Sequence, residues 1–229
     1  MIFFDMKKTF SLFVLAALLL ASGCLFSQNH EYVDLGLPSG TLWATCNIGA
    51  DVPEEYGDYF AWGETKRKVK FTWGNYKYCK DGDLKQLTKY CNNSRHGYNG
   101  YTDNLTVLQP TDDAATVNWG EEWQTPTAEQ WIELQDHTNS TWTSIDGVEG
   151  RLFTGSNGKS IFLPASGFIM IYDGLTDASF RGYYWSSSLH ADKPGRARSF
   201  WFGRNRHGMD AYGLCNGLVV RPVRSARKH

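Results

Sequence analysis

The chain of 229 residues is short of cysteine: five in all, with Cys24 in the leading segment and Cys46, Cys79, Cys91 and Cys215 scattered through the rest. No CxxC pair or Cys/His cluster occurs, which removes the usual zinc spacings. Four dispersed cysteines do not make a disulfide scaffold, although Cys79 and Cys91 would close a short loop if they paired in an oxidising compartment. The six histidines show no HxH or HExxH spacing, so no metal or other cofactor is expected. A nucleophile elbow is missing too, because Gly155-Ser156-Asn157-Gly158 is too short for Gly-x-Ser-x-Gly and reads as a turn. The apolar run from Phe10 to Leu20 falls short of the ~20 residues that span a bilayer. From Glu31 onward neither a low-complexity linker nor a charge block interrupts the chain, so residues 31–224 are expected to form one domain.

What is plentiful is aromatic. Nine Trp, twelve Tyr and thirteen Phe beside 23 Gly point to short strands and many turns packed by flat side chains, not to a helical bundle. Lys7 and Lys8, the apolar run and Ala21-Ser22-Gly23-Cys24 together make an export signal over residues 1–27. Two processing routes fit: lipid modification of Cys24 as a new N-terminus, or ordinary cleavage near Ser27-Gln28. Either route places the protein outside the cytoplasm, as an outer-membrane or cell-surface lipoprotein or as a secreted or periplasmic protein. The membrane is then touched only through a lipid anchor.

Alternation around Pro38-Ser39-Gly40 predicts an opening hairpin, and Ser156-Asn157-Gly158 predicts a second one within "RLFTGSNGKSIFLPASGF". Residues 80–108 read as a long surface excursion. Two helices are expected. Thr111 caps the first, with Asp112 and Asp113 in its opening turn, and Thr127 with Gln130 makes a capping box for the second, whose Trp131 and Leu134 share a face. "YYWSSSL", "RSFWFG" and "GLVVRPV" read as the last strands, with "LPASG" at Leu163–Gly167 a strand end instead of a sortase signal. Trp62, Trp73 and Trp119, each before a glycine, are expected in the core.

The segments "EYVDLGLPSGTLWATCNIGA", "YGDYFAWGET", "VNWGEEWQTPTAEQWIEL", "LPASGF", "GYYWSSS" and "VVRPV" resemble, in consistent order, the Fibrobacter succinogenes major paralogous domain family. The resemblance runs from about Glu31 to Val223. It implies an α+β, C-type-lectin-like fold: short mixed and antiparallel sheets, two short helices, long loops on one side, and paired first and last strands. It implies no defined activity. Calcium-dependent lectins carry Glu-Pro-Asn-like and Trp-Asn-Asp motifs, whereas the nearest strings here are Gln109-Pro110-Thr111 and Asn118-Trp119-Gly120, poor sets of oxygen ligands. Formylglycine-generating enzymes share a segment similar to "WQTPTAEQW" but rely on paired reactive cysteines or a metal, and Cys215 has no nearby partner in sequence.

Charge is segregated. Between Lys193 and Lys228 there are seven Arg and two Lys against Asp210 alone, a balance of +8, while the chain from Gln28 carries 21 basic and 23 acidic residues, so the remainder sums to −10. The acids elsewhere read as a solvated surface, with no pair placed for glycoside hydrolysis. Arg196, Arg198, Trp201, Arg204, Arg206, His207, Asp210 and Tyr212 are the candidate binding residues, displayed on the C-terminal strands and their loops to meet a protein or glycan partner. In related lectin-fold proteins this segment is sometimes rewritten by diversity-generating retroelements. From Gly203 to Leu218 every residue except Met209 is reachable from an Asn codon randomised at its adenines. The expectation is a monomeric, non-enzymatic binding module without affinity for nucleic acid, since one basic segment on an acidic body is no such footprint. A structural or fimbrial envelope protein, and an enzyme using Cys215 as its thiol, are the alternatives.

Overall fold

The structure, a computed structural model, describes residues 30–170 and 174–226. Cys24 and the export segment lie outside the described residues. In chain order come β1 (Tyr32–Asp34), β2 (Thr41–Ala44), β3 (Tyr59–Phe60), α1 (Ala114–Trp119), α2 (Ala128–His137), β4 (Thr138–Ile145), β5 (Val148–Gly155), β6 (Ser160–Pro164), β7 (Phe168–Met170), β8 (Gly174–Thr176), β9 (Arg181–Leu189), β10 (Arg196–Gly203), β11 (His207–Gly213), β12 (Leu218–Val219) and β13 (Val223–Ser225). Two short helices beside small, mostly antiparallel sheets make the protein α+β.

β1 and β2 form the opening hairpin, and β13 adds to the other edge of β2, so Val33 and Val223 both lie opposite Trp43. The two ends of the described chain meet at a fully buried indole. The central sheet has the order β11-β10-β9-β12-β3 and is covered on both faces. Side chains of β9 alternate as a strand requires: Tyr183 and Trp185 enter one aromatic core with Trp62, Phe71 and Tyr76, and Tyr184 enters the other with Trp43, Trp131, Phe153, Phe200 and Phe202. A smaller sheet, β4-β5-β6, packs against the second core, and β7-β8 stands as a separate hairpin.

α2 forms where its caps and spacing predict. The Thr127 hydroxyl accepts from Gln130 N, the Gln130 amide accepts from Thr127 N, and Trp131 and Leu134 are buried. Trp131 stacks on Phe200 at 4.8 Å between ring centroids, and its Nε1 donates to Trp185 O at 3.1 Å. Glu133 accepts from Ser39 N and Ser39 Oγ at 2.7 and 2.6 Å, which locks the first hairpin's turn onto this helix.

Several expectations are corrected. Asp113, not Thr111, caps α1: its carboxylate accepts from Ala115 N and from both Thr125 N and Thr125 Oγ1, leaving Thr111 exposed in the preceding 3-10 turn. β4 was not expected, because its Thr- and Ser-rich sequence offers little apolar signal beyond Trp142 and Ile145. Residues 80–108 are not all surface, since Leu87, Tyr90 and Cys91 are buried and Leu87 bridges both Cys79 and Gly97. Trp62 is core, but Trp73 and Trp119 are half-buried. All five residues of "LPASG" are buried, in keeping with a strand end.

Asp112 sits under a lid of polar aromatics. Lys89 and Lys77 reach it at 2.6 and 3.1 Å, Tyr90 Oη donates at 2.8 Å, and Tyr78 Oη donates as well. Burial alone would raise this carboxyl, but the bonds from Lys89, Tyr78, Tyr90 and Lys77 bring it down to about 2.

Candidate functional site

The run between the two expected final strands is itself a strand. β11 pairs antiparallel with β10 from Arg196 opposite Gly213 to Phe202 opposite His207, and it forms one edge of the central sheet. At Ala211 both main-chain groups are taken by side chains: Asp210 accepts from Ala211 N at 2.8 Å, and Arg196 Nη1 donates to Ala211 O at 3.0 Å. Part of the edge is thereby blocked against another strand.

The hairpin does not gather the candidate residues into one patch. Arg196 begins an eight-residue strand and Arg204 follows its end, which at about 3.3 Å per residue separates the two by about 26 Å. At the turn end Arg204 and Arg206 are exposed. Arg204 lies 5.4 Å over the Trp142 ring and 3.7 Å from Glu149, a loose surface pair of small energetic weight. Beneath them Arg151, only 6% exposed, donates to Ser140 Oγ at 2.8 Å and to Arg204 O at 2.9 Å, fixing the turn to β4 and β5.

His207 is a correction to the displayed set. Its ring packs 6.1 Å from both Phe153 and Phe200, Nε2 lies 3.3 Å from Ser140 Oγ, and Nδ1 is buried without a partner. Burial, helped by Arg151, lowers its pKa, so it stays neutral and acts as packing. Trp201 is a second correction: it lies opposite Tyr183 and Gly208 and packs, half-buried, against the first core. The alternation that sends Phe200 and Phe202 to one core sends Trp201 toward the other.

Two grooves flank the hairpin. Arg198 lines one of about 540 Å³, together with Glu129, His190, Asp192, Lys193, Met209 and Asp210. Arg198 is half-buried and, among the described residues, makes no ion pair. Burial and the charge of Lys193 lower the His190 pKa. Next to that groove, at the open end of the hairpin, Arg196 and Tyr212 line a second groove of about 300 Å³ with Trp73 and Asn216. Tyr212 is half-buried there, its ring 5.0 Å from Phe168 and 5.3 Å from Tyr183. Trp73 and Glu129 were missed from sequence because tertiary contacts alone bring them beside the hairpin, and His190 and Asn216, next to β9 and β11 in the chain, were not singled out.

Not all the basic charge is displayed. Arg221 is fully buried and donates to Asn47 Oδ1, Ala44 O, Thr45 O and Phe162 O at 2.8, 3.0, 2.5 and 3.0 Å. Arg224 pairs with Glu122 at 3.0 Å and lies over the Tyr32 ring. The four cysteines among the described residues are all free thiols, Cys79 and Cys91 included. Cys215 is 1% exposed, and burial pushes its thiol up to about 12, away from the thiolate a nucleophile needs. Among the described residues no three His, Cys, Asp or Glu side chains come together to hold a metal, and no helix is long and apolar enough to cross a membrane. No family model, curated protein or solved structure matches the chain.

Proposed function

We propose that the protein is an exported ligand-binding module of the cell envelope, a Fibrobacter succinogenes major paralogous domain protein of C-type-lectin-like fold. It recognises a protein or glycan partner through β10, β11 and the grooves beside them. The observation that carries this reading is Arg198, a cation partly withdrawn from water, in a groove of about 540 Å³, with no ion pair among the described residues. A guanidinium held this way has lost hydration without gaining a carboxylate, and a partner's acceptor would restore the balance. The groove's mosaic of Glu129, Asp192, Lys193 and Asp210 around Arg198 favours a protein surface there, read by complementary charge.

The fold supports presentation. Strands from both ends of the described chain close on Trp43, and two aromatic cores clamp the central sheet, so the hairpin hangs on a rigid frame. Retroelement diversification remains part of the proposal, with Arg204, Asn205, Arg206 and Asp210 as the exposed variable positions and Ala211, Leu214, Cys215 and Leu218 as buried ones. The inert surroundings of Cys215 weigh for binding over thiol catalysis, and the side chains engaged at Ala211 weigh against assembly through this edge.

The test is capture from arrays of envelope proteins and glycans by the exported chain and by the triple variant Arg198→Gln, Arg204→Gln, Arg206→Gln. The reading expects a partner bound by the parent and lost by the variant, with the thermal melt unchanged. Equal capture by both would count against it.

A further inference from the structure

The smaller groove has a different chemistry from the one around Arg198. Trp73 and Tyr212 supply aromatic walls, Arg196 is the one charged side chain lining it among the described residues, and no carboxylate does so. Its volume of about 300 Å³ is at the lower end of small-molecule sites, which run from about 300 to 1,000 Å³.

Two features of the groove bear on what it can receive. Asn216 is 9% exposed and lines it, yet among the described residues its only side-chain hydrogen bond is the long contact of Oδ1 with Cys215 Sγ at 3.8 Å. Its Nδ2 donors are left for an acceptor from outside. Two glycines line it as well: Gly195, held at φ +71 against Leu84, and Gly213, where a side chain would narrow the space. A Cβ on Gly195 would lie 2.1 Å from Leu84 Cδ1 and 3.5 Å from Trp73 Cη2, and one on Gly213 would lie 3.7 Å from Trp73 Cζ2 and 3.8 Å from Asn216 Oδ1. The six-membered half of the indole therefore borders a floor of bare backbone.

We infer that this groove is a subsite for a carboxylate-bearing sugar. The apolar C–H face of a pyranose covers the indole, its hydroxyls accept from Asn216 Nδ2, and its carboxylate pairs with Arg196. Arg196 commits one nitrogen to Ala211 O and so presents its remaining donors from a fixed position. A neutral sugar would forgo the charge-assisted bond, and an acidic peptide without a flat apolar face would forgo the indole. The inference rests on the reading of the hairpin as the binding element and names the ligand class for one of its ends.

The experiment is isothermal titration calorimetry of the exported chain with galacturonate, glucuronate and sialate oligosaccharides at physiological ionic strength, each beside its methyl ester. At least one free acid should bind at least tenfold more tightly than its ester. Arg196→Gln should remove that preference. Gly213→Ala places a methyl at ordinary contact distance and should weaken binding at least tenfold with an unchanged melt. Silence from every acidic probe overturns the inference, as does binding that neither variant alters. Acid binding lost on Arg198→Gln but not on Arg196→Gln also overturns it, while leaving the hairpin reading intact. If no hairpin variant changes the capture of any envelope partner, the broader reading falls separately.

Discussion

Single residues decide how much of the basic C-terminal segment is free for recognition. Arg221 counts toward the segment's basic charge, yet the fold spends it inside, tying the end of β2 to β6 through four neutral acceptors. Lysine cannot reproduce that planar fork. Leaving several of those acceptors unsatisfied, at about 1–3 kcal/mol each, predicts that Arg221→Lys lowers unfolding stability by at least about 3 kcal/mol in a urea titration. Asp112 gives a prediction in pH. Its folded value of about 2 lies below the unfolded reference of about 3.9, so its contribution is fully present above about pH 4 and drains away as the pH falls toward 2. Asp112→Asn should lower stability at neutral pH and flatten the acid limb between pH 4 and 2, as measured by denaturant midpoints across that range.

At the scale of elements, legibility follows signal strength. α2 could be read because a capping box and two apolar positions three apart are local properties, and the β5–β6 hairpin could be read from Ser156-Asn157-Gly158. β4 and β11 could not. β4 buries little of its Thr/Ser-rich surface, and β11 is an edge strand carrying Gly208, Asp210 and Gly213 whose pairing partner, not its own pattern, makes it a strand. The same cause misassigned His207, which a loop would show and β11 turns inward, whereas Trp201 lies in a strand that was read as one and is drawn toward the first core by that strand's alternation. A division of labour within the hairpin follows. Arg204→Gln and Arg206→Gln should each change stability by less than about 0.5 kcal/mol, as exposed substitutions do, whereas His207→Ala should cost about 2 kcal/mol or more by opening a gap against Phe153 and Phe200. Thermal melts of the three variants check this, and a costly Arg206→Gln would contradict it.

For the whole molecule, a β-rich domain was legible in the aromatic-rich short runs and glycine turns and two helices in their caps, while the α+β class came from the family resemblance; the candidate site was legible only in part. Arg196, Arg204, Arg206 and Asp210 are exposed as expected. Their separation into two ends of a hairpin, and the arrival of Trp73 and Glu129 from distant segments, are tertiary facts without a local signature. The frame around them is stiff for a physical reason: an aromatic sheet clamped on both faces leaves the edge hairpin as the place where polar side chains are both ordered and free. Hydrogen–deuterium exchange of the protein with and without its captured partner tests this most directly. The account predicts slowed exchange concentrated in Arg196–Gly213 and in the groove walls at Glu129 and Trp73. Protection confined to another surface, such as the groove beside His30 and Trp119, with the hairpin unchanged, would contradict it.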